Sequence, residues 1–129
     1  MSFLGDDKIA ISSYPDLTFL TEDQQYLRML RKVARENGLE VVDIKDRPVD
    51  EKCWLGNEFI YSARGCFVNF LKLNDTIILP DFDLPKYPKQ NCFTQNKNKL
   101  EKMKFNVENV DCTMLSSTGG VVHCVSWEY

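Results

Sequence analysis

The chain of 129 residues has no long apolar run, no excess of basic residues, no Cys-x-x-Cys pair and only one histidine. No stretch approaches the roughly 18 apolar residues of a membrane-spanning helix, so no membrane association is expected. Its 16 Lys and Arg against 19 Asp and Glu give a net charge of -3. That balance lacks the basic footprint of a nucleic-acid binder, and no nucleic-acid partner is expected. Lys97, Lys99, Lys102 and Lys104 do cluster, but they fit the solvated face of a helix. The opening residues Met1-Ser2-Phe3-Leu4-Gly5-Asp6-Asp7 carry neither the basic segment nor the apolar core of a secretory signal. Cys53, Cys66, Cys92, Cys112 and Cys124 are odd in number and lack zinc-type spacing. They read as reduced thiols of a cytoplasmic protein, with no metal and no organic cofactor implied.

What remains is an ordinary globular composition, 43% hydrophobic and 27% charged, at a length that suits one domain. Strand and helix patterns alternate along it, so the expected class is α/β. Lys8–Ile11 is a short β run after the turn residues Gly5-Asp6-Asp7. Thr21 and Gln24 have the spacing of a capping box, and a helix is expected from there to about Asn37. Its apolar face is predicted from Tyr26, Leu27, Leu30, Val33 and Ala34. Asn37-Gly38 stops it, and a strand follows over 39–44.

Residues 45–57 are polar and aperiodic around Pro48 and are predicted to form a loop, with Trp54 and Leu55 pinning it. Residues 66–73 form an apolar run predicted as a strong strand, turned at Asn74-Asp75 into a second strand over 76–80. A long loop bearing Pro85 and Pro88 leads to a second helix over about 95–103, then a strand over 105–112. Ser116-Ser117-Thr118-Gly119-Gly120 is a turn before a final strand over 121–127.

This order contains a repeat. Asp7–Ile11 matches Asp75–Leu79, a helix follows each, and Leu39, Val41 and Ile44 match Phe105, Val107 and Val110. A strand, helix and strand recurring in one order point to two related modules, at about residues 1–58 and 59–129.

The chemistry concentrates at the C-terminal end, Gly119-Gly120-Val121-Val122-His123-Cys124. A thiol beside flexible backbone is a candidate nucleophile, while a buried, inert cysteine in a core strand is the structural alternative. A strand there would send His123 and Cys124 to opposite faces, leaving the thiol without its neighbour as base.

Gly119-Gly120-Val121-Val122-His123-Cys124 resembles the Gly-Gly-Gly-Ile-His-Cys signature of agmatine deiminases and bacterial-type peptidylarginine deiminases. Cys66-Phe67-Val68-Asn69-Phe70 is similar to the family's Ser-Tyr-x-Asn-Phe strand, with Cys66 and Phe67 in place of Ser and Tyr. Thr76–Phe82 resembles its Val-Ile-Val-Pro-x-Phe segment, and Val110-Asp111-Cys112 its Ile-Asp-Cys. The resemblance is close from about Phe59 onward and looser over 1–44.

The resemblance implies a pentein fold, a propeller of five ββαβ modules, of which two are visible here. It implies Cys124 as the nucleophile that attacks a guanidinium carbon, and substrate contacts from Gly119, Gly120 and Asn69. It implies a small guanidino substrate, either agmatine, converted to N-carbamoylputrescine, or the arginine side chain of a protein. The family's general-acid histidine, in Gly-His-x-Asp, and its guanidinium-clamping acids lie upstream of the matched segments. The chain therefore looks like the C-terminal two-fifths of such an enzyme. It is expected to need a missing N-terminal chain, or to form a homo-oligomer, and to be inactive alone. A non-catalytic pentein fragment or degenerate module acting in protein–protein association is the rival class.

Overall fold

Two sheets of one plan carry the chain in the computed structural model, which describes residues 1–16, 18–84 and 91–125. The elements are β1 (Ser2–Phe3), β2 (Lys8–Ser13), a 3-10 turn (Thr18–Leu20), α1 (Thr21–Glu36), β3 (Glu40–Lys45), β4 (Lys52–Leu55) and β5 (Glu58–Tyr61). They continue with β6 (Leu71–Leu73), β7 (Thr76–Asp81), α2 (Cys92–Lys102), β8 (Asn106–Asp111), α3 (Thr113–Ser116) and α4 (Val122–Val125).

The first sheet has order β1-β2-β3 and the second β6-β7-β8. In each, the first pair is antiparallel and the second parallel, joined by a helix crossover. The parallel pairs start at Lys8 opposite Glu40 and at Thr76 opposite Asn106, the same places in the two sheets. The repeat seen in sequence is thus a repeat of topology, ββαβ twice, in a mixed α/β fold. The hairpin β4–β5 stands apart as a two-stranded antiparallel sheet.

Burial follows the pattern of the strands. Ala10, Val42, Ile44, Ile77, Leu79 and Leu100, from both units, join Phe67, Phe70 and Val121 in one core. Phe67 and Phe82 meet edge-on there, with ring centroids 5.1 Å apart. A smaller cluster of Ile9, Ile11, Leu27 and Ala34 seats α1 on the outer side of the first sheet. Pro80 sits in β7 beyond the end of its pairing with β6, so its missing N–H costs no bond there.

Several expectations are corrected. Thr21 is not an N-cap: its hydroxyl donates to the Thr18 carbonyl and Gln24 reaches back to the Pro15 carbonyl. The 3-10 turn preceding α1 supplies the entry in place of a capping box. Tyr26 and Val33 lie exposed, because α1 covers a narrow sheet and only the Leu27, Leu30 and Ala34 stripe reaches it. Residues 45–57 are not all loop, since β4 begins at Lys52 and pairs with β5 across Gly56-Asn57. The side chains of Cys53, Trp54 and Leu55 lie outside the described residues.

The strong strand predicted over 66–73 shrinks to Leu71–Leu73. Phe67, Val68 and Phe70 are all buried, a spacing that a half-buried strand does not make. The segment instead turns twice, with Cys66 N–H donating to the Ala63 carbonyl and Asn69 N–H to the Cys66 carbonyl. The predicted final strand is also overturned. Residues 122–125 form a helical turn, and residues 126 and 127 lie outside the described residues. An apolar run this short fits either form, and burial of Val121 in the core decides it.

Candidate active site

The double turn and the helical turn meet, and that meeting makes the site. His123 N–H donates to the Asn69 carbonyl at 3.4 Å. The Asn69 side chain donates from Nδ2 to the Cys124 Sγ at 2.9 Å. The thiol is exposed, and its sulfur accepts a hydrogen bond from a side chain fixed by the neighbouring turn. Asn69 Oδ1 is buried and has no hydrogen-bond partner among the described residues.

Cys124 and Asn69 line a cavity of 350 Å³ with His123, Cys66, Asp46 and Ser12 among its walls. His123 therefore shares the cavity with Cys124 and is not turned to an opposite face, because successive residues of a helical turn do not alternate as in a strand. Gly119 adopts φ 83, which favours glycine, and a Cβ there would stand 2.7 Å from Ile60 Cδ1. Gly119 and Gly120 shape the turn that delivers α4 and do not line the cavity.

Asp46 is the residue that sequence reading missed. It follows β3 directly, is 2% exposed, and lies in the cavity wall. Its Oδ2 accepts from Ser12 Oγ at 2.6 Å and its Oδ1 from Val68 N–H at 2.9 Å. Burial pushes its carboxyl up to about 7, against the pull of the Ser12 and Val68 bonds and the Met1 ammonium. The sequence signal was weak: a single aspartate in a polar stretch, with Ser12 34 residues away.

Cys66 is different from Cys124. Burial pushes its thiol up to about 12, with Asp46 and Cys124 adding to the shift, so it is a poor nucleophile at neutral pH. Burial likewise pushes the Tyr14 hydroxyl up to about 12. Tyr14 and Cys66 also border a larger neighbouring cavity of 750 Å³ that does not contain Cys124. Cys66, Cys92, Cys112 and Cys124 are free thiols. Among the described residues, no three His, Cys, Asp or Glu side chains group as metal ligands. No helix among them is long and apolar enough to cross a membrane.

The model of the Porphyromonas-type peptidyl-arginine deiminase family matches residues 1–129. The chain belongs to that family. A substrate-bound agmatine deiminase variant of C. jejuni has a similar fold, at 18% identity and a TM-score of 0.63, covering 94% of this chain and 33% of the other. The agmatine deiminase of Enterococcus faecalis is also similar, at 18% identity and a TM-score of 0.66, covering 94% of this chain and 36% of that one. No curated protein matches the chain in sequence. The chain spans about a third of the length of the solved structures it matches.

Proposed function

We propose that the chain supplies the nucleophile side of a guanidine-deiminating site, with Cys124 as the attacking group. The observation that carries this reading is the Cys124 sulfur held at 2.9 Å by Asn69 in a cavity shared with His123 and a buried acid. The Asn69 side-chain N–H holds the sulfur in place at the cavity wall, and the thiolate is the form that attacks. Asn69 thus acts on the nucleophile as well as standing where substrate would bind, and Gly119 and Gly120 act by setting the turn.

In the reaction, the Cys124 thiolate forms a C–S bond to the guanidinium carbon. One C–N bond breaks, and the leaving nitrogen departs as ammonia after taking a proton. Water then adds to the thiouronium carbon, the C–S bond breaks, and a ureido product leaves with the thiolate restored. Agmatine, giving N-carbamoylputrescine and so feeding putrescine formation, is the favoured substrate, in a cytoplasmic enzyme. Peptidyl-arginine is the second reading, favoured by the description of the family that the chain belongs to.

The two ββαβ units, at about residues 1–58 and 59–129, are read as two of the five modules of a pentein propeller. Turnover belongs to the assembly with the remaining modules. Phe3, Tyr61 and Met114 are exposed near sheet edges and module ends, the kind of surface that such an assembly covers. The rival reading, a non-catalytic module acting in association, predicts no special reactivity at Cys124.

The test is alkylation of the 129-residue chain with 2-chloroacetamidine, with the modified cysteines mapped by peptide mass. Cys124 is expected to react first, well ahead of Cys66, Cys92 and Cys112. Equal modification of the five thiols, or a faster reaction elsewhere, would count against the reading.

A further inference from the structure

The Cys124 cavity holds more acceptor capacity than its internal bonds use. The Asp46 carboxylate accepts from Ser12 Oγ and from the Val68 and Phe67 N–H groups, three donors against about four lone-pair directions. Asn69 Oδ1 is buried and accepts none from the described residues. A buried acceptor left empty is costly, and such atoms in native structures call for a partner. The two groups line one cavity with the thiol between the double turn and α4. Acceptors of this kind, one able to carry negative charge, suit a planar cation rich in N–H donors.

We infer that Asp46, fixed by Ser12, together with Asn69 Oδ1, forms the subsite on this chain that binds an amidinium or guanidinium cation beside Cys124. The inference rests on the functional reading given above and adds the residues that recognise the charge. The chain then does not leave the cation wholly to acids elsewhere. It brings a carboxylate of its own, on the loop that follows β3.

The charge state of Asp46 makes this subsite sensitive to pH. Burial holds the empty carboxyl up to about 7, and a bound cation favours its ionised form. Cation binding should therefore strengthen as pH rises through about 7 and release a proton below it. Several groups face Asp46: Ser12 and Tyr14 from β2 and the turn after it, the Met1 ammonium, the Phe67 and Val68 N–H groups, and the Cys66 and Cys92 thiols. Of these, the two thiols and Tyr14 are held upward by burial and stay uncharged through the window.

The experiment compares two alkylating probes on the 129-residue chain, cationic 2-chloroacetamidine and neutral iodoacetamide, with rates read at Cys124 by peptide mass. Both attack the same thiolate, so the ratio of rates reports recognition of charge. In the native chain the ratio should climb through about pH 7. Asp46→Asn should lower it about tenfold at pH 8, the scale of one lost opposite-charge interaction. Ser12→Ala keeps the carboxylate but removes its hydroxyl donor, and should move the midpoint of the climb to higher pH. This second variant carries the test if Asp46→Asn does not fold, which circular dichroism would reveal.

A native ratio that favours the cation and is unchanged in both variants would overturn this subsite while leaving Cys124 as nucleophile. A native chain with no selective reaction at Cys124 would overturn both readings.

Discussion

Replacing Asp46 by Asn should change how stability depends on pH, and the size of the change follows from the site. In the folded chain the carboxyl is 2% exposed and its pKa rises from 3.8 to about 7. In the unfolded chain it titrates near its ordinary value. Between these two values the unfolded state has lost its proton and the folded state has kept it. The folded state binds more protons there, so its stability falls as pH rises. The stabilising contribution is complete below about pH 4 and is lost by the time the pH has passed about 7.

The shift corresponds to about 4 kcal/mol across that window, at 1.36 kcal/mol for each pKa unit. An asparagine does not titrate. Its Oδ1 still accepts from Val68 N–H, and its Nδ2 donates to Ser12 Oγ after the hydroxyl turns. The native chain should therefore lose about 4 kcal/mol relative to Asp46→Asn between pH 4 and pH 8. The assay is urea unfolding of both proteins at several pH values, with equal m-values as the check on comparability. A constant offset between the two over the whole range would refute the reasoning, because a buried carboxyl with a raised pKa must leave this slope.

Asn69→Ala removes the side-chain N–H placed on the Cys124 sulfur and should slow its alkylation about tenfold or more, the scale of one hydrogen bond to a charged group; an unchanged rate would contradict that role. Gly65→Ala drives a Cβ into the Arg47 carbonyl at φ 85 and should cost at least about 2 kcal/mol in urea unfolding, since the obstacle is backbone. A chain whose module edges are covered in a larger assembly should self-associate when alone, and a monomer across a sedimentation concentration series would argue against that assembly.

The parts of the fold set by periodicity were legible in the sequence. β2, α1 and β3, and then β7, α2 and β8, fall where alternation and helical spacing place them, and the repeat follows from their order. What the pattern hid was decided by tertiary contacts. Phe67, Val68 and Phe70 look like a strand by composition, but all three enter the core from a double turn. The Val121–Val125 run has the composition of a strand, but Val121 enters the core and α4 packs beside β7. The short β4–β5 hairpin was hidden in a stretch of charge, because an exposed two-stranded sheet needs little apolar alternation.

The site divides the same way. Cys124 and Asn69 were legible from family-like motifs, and the structure brings them into contact although they lie 55 residues apart. The relation of His123 to Cys124 was misread because it depended on the predicted strand. Asp46 left no pattern at all. Its importance comes from Ser12 and Val68 arriving from distant elements to bury it, which spacing along the chain does not reveal.

The central claim is that Cys124 is the nucleophile of a site completed by modules beyond these 129 residues. It is tested most directly by ammonia release from agmatine, measured for the 129-residue chain alone and after adding the N-terminal modules of a family relative in trans. The account predicts no turnover alone, turnover on complementation, and none when the added modules meet Cys124→Ala. Robust turnover by the isolated chain, or full activity of the complemented Cys124→Ala variant, would contradict it.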